Sequence, residues 1–282
     1  MKKRTSRSLA STTPIQARAK KSFSQNFLNN TEAIEKIINI AKLQAGDCVI
    51  EIGPGTGALT QHLLSLPIDL VLIEKDFDLF EKLTLWIHHQ KPKASVQLVC
   101  KDAIEEDFDI YLSKKNTPVK IIANLPYQIS SKILQKLLPL YPYVHSMTLM
   151  FQEAYALRVI AVPNSKDYSS LSHFVSCYAE AKLCLTIPAS DFVPQPKINS
   201  SVVHFVMKQQ PHPLIDNPLY FSFVQTTFNQ RRKTLLNNLK NLFPIDKIEQ
   251  ALIQADLSLA CRAQELSSSE FACIFQALSD TK

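Results

Sequence analysis

Four consecutive residues, Asn124-Leu-Pro-Tyr127, set a side-chain amide, a proline-fixed turn and an aromatic face side by side. That set suits methylation of the exocyclic amine of a base. The nitrogen of such an amine is a weak nucleophile, because its lone pair is delocalised into the ring. If the Asn124 side-chain oxygen and the Leu125 carbonyl accept its two hydrogens, the nitrogen moves toward tetrahedral geometry and its lone pair can face a methyl donor. Pro126 holds the turn, and Tyr127 offers a stacking surface worth about 1–3 kcal/mol per base. No strong base is needed, since the proton leaves after the nitrogen has become cationic. The segment contains no histidine or cysteine, whereas attack at a ring carbon would call for a cysteine nucleophile.

A second constellation lies upstream. The chain of 282 residues has 4 glycines, and Gly53, Gly55 and Gly57 fall together in Glu51-Ile-Gly-Pro-Gly-Thr-Gly-Ala58. Bare backbone at this spacing permits a tight turn and a close approach of main chain to ligand. Residues 48–52 read as a buried strand and Ala58 to Leu66 as a helix. The loop therefore joins a strand's carboxyl end to a helix's amino end, where nucleotide-like ligands sit in open α/β sheets. Glu74 ends the next predicted strand, where a carboxylate can accept from both hydroxyls of a ribose, each bond contributing about 1.5–3 kcal/mol. Asp102, in Cys100-Lys-Asp-Ala103, ends the third and is placed to accept from an adenine amino group. Taken alone, the loop with Ala58 in the last place also satisfies a dinucleotide fingerprint, which keeps a nicotinamide cofactor open. The Asn124 to Tyr127 segment favours amine methylation instead.

These residues need a sheet to position them. Strands are predicted near 48–52, 69–73, 95–99, 119–123 and 144–151 with helical stretches between, an alternation that predicts a parallel sheet covered on both faces. Ile34, Ile37, Ile38 and Ala41 fall at helical spacing behind Asn30 or Thr31 as a cap. Two later strands, about 180–187 and 200–207, flank the proline-rich Pro188 to Lys197 and are predicted to pair antiparallel at one sheet edge. Residues 209–218 read as a linker. Beyond it the pattern is helical, including Arg231, Arg232 and Lys233 opening a stretch through Leu239, and a capping box at Ser267 to Glu270.

Composition narrows the class. The net charge is +6, and residues 1–31 carry Lys2, Lys3, Arg4, Arg7, Arg18, Lys20 and Lys21 without an acid, so this arm holds the whole excess. Such an arm suits an anionic partner, most simply nucleic acid; a solubilising tail or an organelle transit peptide are the alternatives. The 6 cysteines form no Cys-x-x-Cys pair, which predicts buried thiols in a reducing compartment rather than disulfides or zinc ligands. No apolar run approaches the roughly 18 residues of a membrane span.

The chain resembles the ribosomal RNA adenine N6-dimethyltransferases, in particular the bacterial branch acting on the small subunit. The resemblance rests on Gln25-Asn-Phe-Leu28, the glycine loop, Ile73-Glu-Lys-Asp76, Asn124-Leu-Pro-Tyr127, Phe192-Val-Pro-Gln-Pro-Lys-Ile198 and Phe228 to Leu239. It implies a seven-stranded, Rossmann-like class I methyltransferase sheet with a small all-helical C-terminal domain. It implies S-adenosylmethionine as cofactor, no metal, and two adjacent adenosines near the 3′ end of 16S rRNA as substrate. A monomer in the cytoplasm, associated with no membrane, is expected. The expected divisions are a basic arm at 1–22, a methyltransferase domain at 23–208 and an RNA-contacting helical domain at 209–282. Carried over by motif, Asn26, Leu28, Glu51, Gly53, Gly55, Glu74, Asp102, Ala103 and Asn124 would hold the cofactor. Asn124, Leu125, Pro126 and Tyr127 would act on the base, with Phe192 as a second stacking face. Lys197, Arg231, Arg232 and Lys233 would contact RNA phosphates. Two departures from the family pattern are Ser24, where glycine is usual, and Asn30, near which aspartate is usual; both bear on the contacts of Asn26 and Leu28. An Erm-type enzyme acting on 23S rRNA and a non-catalytic RNA-binding or transcription factor on the same fold are the rival readings.

Overall fold

The computed structural model describes residues 15–17, 19–20, 25–112, 117 and 119–279. Most of the expected arm, and the departure at Ser24, lie outside these residues. Strand β1 (Phe27–Leu28) leads into α1 (Thr31–Ala41), followed by β2 (Cys48–Ile52), α2 (Thr60–Leu63), β3 (Asp69–Glu74) and α3 (Phe77–His89). Next come β4 (Ser95–Cys100), α4 (Asp109–Leu112), β5 (Val119–Asn124), α5 (Ser130–Leu137), β6 (Val144–Gln152), α6 (Glu153–Val159) and α7 (Ser170–Tyr178). Strands β7 (Ala179–Ile187), β8 (Phe192–Val193), which pairs with β1 in a separate two-stranded sheet, and β9 (Ser200–Met207) come next; α8 (Pro218–Thr227), α9 (Leu235–Leu239), α10 (Ile245–Gln254) and α11 (Ser268–Ser279) follow.

Seven strands form one sheet in the order β4-β3-β2-β5-β6-β9-β7. The first five run parallel, and β9 is antiparallel to both its neighbours, β6 and β7. The two late strands pair as their patterning predicts, with β9 inserted inside the sheet and β7 at the edge. The side-chain period of two sorts the strand residues between two apolar layers. Val49, Leu70, Leu72 and Ile122 pack with α1 and α2, while Ile50, Ile52, Val71, Ile73, Ile121 and Ala123 face the opposite layer. Glu51 shares the face of Val49, which sets this acid beneath α2.

Helix α1 begins where the sequence predicts. Asn30 is its cap, its side chain accepting from the Ala33 amide at 3.1 Å. Ile34 and Ile37 are each 3% exposed, a burial contributing about 1.5–3 kcal/mol per side chain. The helix expected over Ala58 to Leu66 is shorter, Thr60–Leu63. Gly57 donates to Pro54 at 2.9 Å, and His62 to Leu59 at 3.0 Å, so tight turns occupy the flanks.

The helical segment after β9 shares its core with the sheet. One apolar cluster runs continuously from Ile50 and Ile121 through Val175 and Tyr178 to Phe223, Phe271 and Leu278. The predicted linker packs rather than spans: the His212 amide donates to Cys177 at 3.0 Å, and the His212 ring stacks on Tyr220. His173 of α7 is fully buried at this junction, 3.0 Å from the Tyr220 hydroxyl, and burial depresses its pKa to about 3. The capping box forms, Ser267 and Glu270 each bonding the other's backbone amide. No helix among the described residues is long and apolar enough to cross a membrane.

Candidate active site

The carboxyl ends of β2, β3 and β5 open on one cavity of about 240 Å³. Its walls include Asn26, Leu28, Glu51, Gly53, Gly55, Glu74, Asp102, Ala103 and Asn124, together with Leu125, Pro126 and Tyr127. Residues spread over a hundred positions of sequence thus meet because adjacent parallel strands end at one level.

Glu74 ends β3 and organises the glycine loop. Its Oε2 accepts from the Gly55 amide at 3.0 Å and its Oε1 from the Asp76 amide at 2.8 Å. Burial raises its pKa, partly offset by those two amides. Gly55 has φ +60°, and a Cβ there would stand 3.2 Å from the Phe27 ring. Gly57 supports the loop from behind: it has φ +83°, and an added Cβ would meet Trp86 at 3.2 Å. Glu51 lies deeper, 1% exposed, with Thr60 Oγ1 donating to its Oε2 at 2.8 Å. Burial pushes its pKa up to about 8, so it carries a proton at neutral pH.

Asp102 takes two donors, the Lys75 ammonium at 2.6 Å on Oδ2 and the Ile104 amide at 2.9 Å on Oδ1. Burial acts to raise its pKa, but the two donors outweigh it and hold the carboxyl below its usual range. Asn124 ends β5, and its Nδ2 donates to the Asn26 carbonyl at 3.4 Å. With the nitrogen end of the amide turned to Asn26, the oxygen is the acceptor it can present to a ligand. The half-buried Tyr127 has its hydroxyl 2.9 Å from Ser200 Oγ.

Phe192 does not share this wall. Paired with Leu28 across β1 and β8, it is 2% exposed and packs in the layer of α1. Apolar burial between two short strands holds the ring there, so in this structure it offers no stacking face. Lys197 is exposed in the bend before β9. Arg231, Arg232 and Lys233 are exposed too, in a turn between α8 and α9 rather than on a helix. Asn238 closes the turn: its Nδ2 donates to the Thr227 carbonyl at 2.9 Å and to that of Gln230 at 3.3 Å, and Thr234 restarts the helix as its cap. Arg231 braces the turn by donating to the Lys166 carbonyl at 2.8 Å.

A family model described as ribosomal RNA adenine dimethylase matches residues 16–280. The chain belongs to the ribosomal RNA adenine dimethylase family. Relatives named ribosomal RNA small subunit methyltransferase A include that of Protochlamydia amoebophila, 36% identical over 263 residues and 92% of this chain, covering 91% of the relative. Another, from Chlamydia trachomatis serovar D, is 37% identical over 270 residues, covering 94% of both chains. A dimethyladenosine transferase from Plasmodium falciparum superposes with TM-score 0.78 at 26% identity, over 90% of this chain and 98% of that one. The 23S rRNA methyltransferase ErmE, at TM-score 0.64 and 22% identity over 90% of this chain and all of its own, shares the fold.

In this dimethylase-family chain, residues beyond those predicted also shape the cavity. Asp76, 2% exposed, caps α3 and binds Lys20 at 2.6 Å and Gln25 at 3.1 Å. Lys20 reaches Asp78 as well, at 2.7 Å, and the Ile15 amide donates to the Thr56 carbonyl of the glycine loop at 3.0 Å. Ile15 and Lys20 thus contact two cavity-lining residues, Thr56 and Asp76. The motif Ile73-Glu-Lys-Asp76 signals Asp76; nothing in local periodicity signals Ile15 or Lys20.

Proposed function

We propose that the protein dimethylates the N6 amines of two adjacent adenosines near the 3′ end of 16S rRNA, with S-adenosylmethionine as methyl donor. One observation carries this reading: the Asn124 to Tyr127 turn opens on the same cavity as Gly53, Gly55, Glu74 and Asp102. The donor set fits the cofactor. Glu74 would accept from the ribose hydroxyls, Asp102 from the adenine amine, and Glu51 would organise the amino-acid end, each group already oriented by the bonds described. S-adenosylmethionine supplies an electrophilic methyl group when bound. The chain's part is to hold the target amine, through the Asn124 oxygen and the Leu125 carbonyl, with its base on the Tyr127 ring. Aiming acceptors at the hydrogens of the nitrogen as it becomes cationic is electrostatic preorganisation, and no general base is required.

The names of the relatives at 36–37% identity support a small-subunit substrate. The likeness to ErmE is one of fold. Incubation with labelled S-adenosylmethionine and unmodified 30S or 50S particles tests the choice: label should enter 30S as N6,N6-dimethyladenosine. Asn124→Ala should lower the rate by at least about 100-fold, the scale of losing one preorganised acceptor. Label confined to 50S would favour the Erm-type reading. Absence of label from both would favour the non-catalytic one.

A further inference from the structure

We infer that Ser200 is a positioning residue for the reacting base, acting through the Tyr127 ring; this rests on Tyr127 serving as the stacking platform. Tyr127 lies three residues beyond the end of β5, so no strand ladder fixes its side chain. Ser200, by contrast, is rooted in the sheet. As the first residue of β9 it sits in register between Gln152 of β6 and Ile187 of β7, and it is 0% exposed. Its Oγ, 2.9 Å from the Tyr127 hydroxyl, ties two segments 73 residues apart.

A phenol anchored at its tip cannot swing away about the Cα–Cβ bond, so the plane of the ring is set before a base arrives. A phenylalanine would offer a similar face without the anchor. Misplacing a stacked base by a fraction of an ångström penalises the transfer step more than it penalises binding. Affinity for RNA rests largely on phosphate contacts elsewhere. The alternative role for Ser200 is purely structural, a buried hydroxyl finding a partner at a strand start, and it predicts no consequence for a phenylalanine at 127.

The test is single-turnover methylation of unmodified 30S particles at saturating S-adenosylmethionine, beside a direct measurement of 30S binding. Ser200→Ala and Tyr127→Phe should each slow the reaction roughly three- to tenfold, the range expected of one neutral hydrogen bond. Binding of 30S should stay within about twofold, and the double variant should be no slower than the slower single one. Ser200→Thr, which keeps the hydroxyl, should recover most of the rate. Tyr127→Phe at the wild-type rate, multiplying losses in the double variant, or a defect confined to 30S binding would overturn the assignment. If Ser200→Ala fails to fold, Tyr127→Phe decides alone, since it leaves β9 untouched. A wild-type protein that leaves 30S unlabelled would instead overturn the functional reading beneath it.

Discussion

Glu51 shows how burial turns an ordinary carboxylate into a neutral acid. Its pKa near 8 lies above that of an unfolded glutamate near 4.5, so the folded chain binds the extra proton between those values. Stability from this group is complete below about pH 4.5 and declines as pH rises toward 8, by at most about 1.4 kcal/mol per pH unit. Glu51→Gln cannot ionise, so its melting temperature should gain on the wild type across that window. The expected rate is about 2–4 °C per kcal/mol. Thermal melts of both proteins at pH 5 and pH 8 check this, and an equal difference at the two values would contradict it. Sequence made Glu74, Asp102 and Asn124 legible because strand ends advertise themselves, whereas Glu51, inside β2, came from the resemblance. It did not reveal that Lys20 meets Asp76 or that Ser200 meets Tyr127, contacts spanning 56 and 73 positions, because local patterning carries no information about tertiary neighbours. Phe192 came as a stacking face from the resemblance alone, which carries no information about its pairing with Leu28 or its burial.

The glycine loop separates backbone strain from packing. Gly46 and Gly57 have nearly equal φ, +85° and +83°, but a Cβ at Gly46 meets nothing within 4 Å and one at Gly57 meets Trp86 at 3.2 Å. Gly46→Ala should therefore cost only the left-handed strain, about 1–2 kcal/mol. Gly57→Ala should cost roughly 1 kcal/mol more through displacement of Trp86. Urea titrations of the two variants give the comparison, and equal midpoints would mean that the indole gives way freely. At this scale the seven strands of the main sheet were read almost to the residue, because their apolar runs are bounded by polar ends and turns, while the two-residue β1 and β8 are too short to show a pattern. The helices were less legible. Periodicity from Arg231 to Leu239 looks continuous, but residues 231–233 form a turn that Asn238 closes by donating to the carbonyls of Thr227 and Gln230. Over Ala58 to Leu66 the apolar pattern outlasts the helix because turns bury those residues equally well.

Across the whole molecule, loops from both parts of the chain gather around the basic turn. Arg231 holds the Lys166 carbonyl, and the Asn164 amide donates to Gln264 at 2.8 Å. Arg231 is thereby tied to the loop before α7, and Arg232 and Lys233 follow it exposed in the same turn, an arrangement that suits contact with phosphates. If all three contact 16S rRNA, replacing them with alanine should reduce the salt-dependence slope of 30S binding by about 2, at roughly 0.7–0.9 per phosphate. Filter binding between 50 and 200 mM salt measures it, and an unchanged slope would remove the turn from the interface. The direction of β9 has an effect of its own. Strands β2, β3 and β5 present their last residues to the cavity, whereas β9, running the other way, begins beside it, with Ser200 against Tyr127. The chain therefore arrives at the cavity edge through residues 188–199 before it enters the sheet, with Lys197 three positions from Ser200. That approach carries β8, whose Phe192 and Val193 pair with Leu28 and Phe27 on the cavity wall, so only the stretch between Val193 and Ser200 can change length, and shift Lys197, without moving that wall. The reversed strand thus borders the cavity with a segment pinned at both ends, by β8 before Lys197 and by β9 after it.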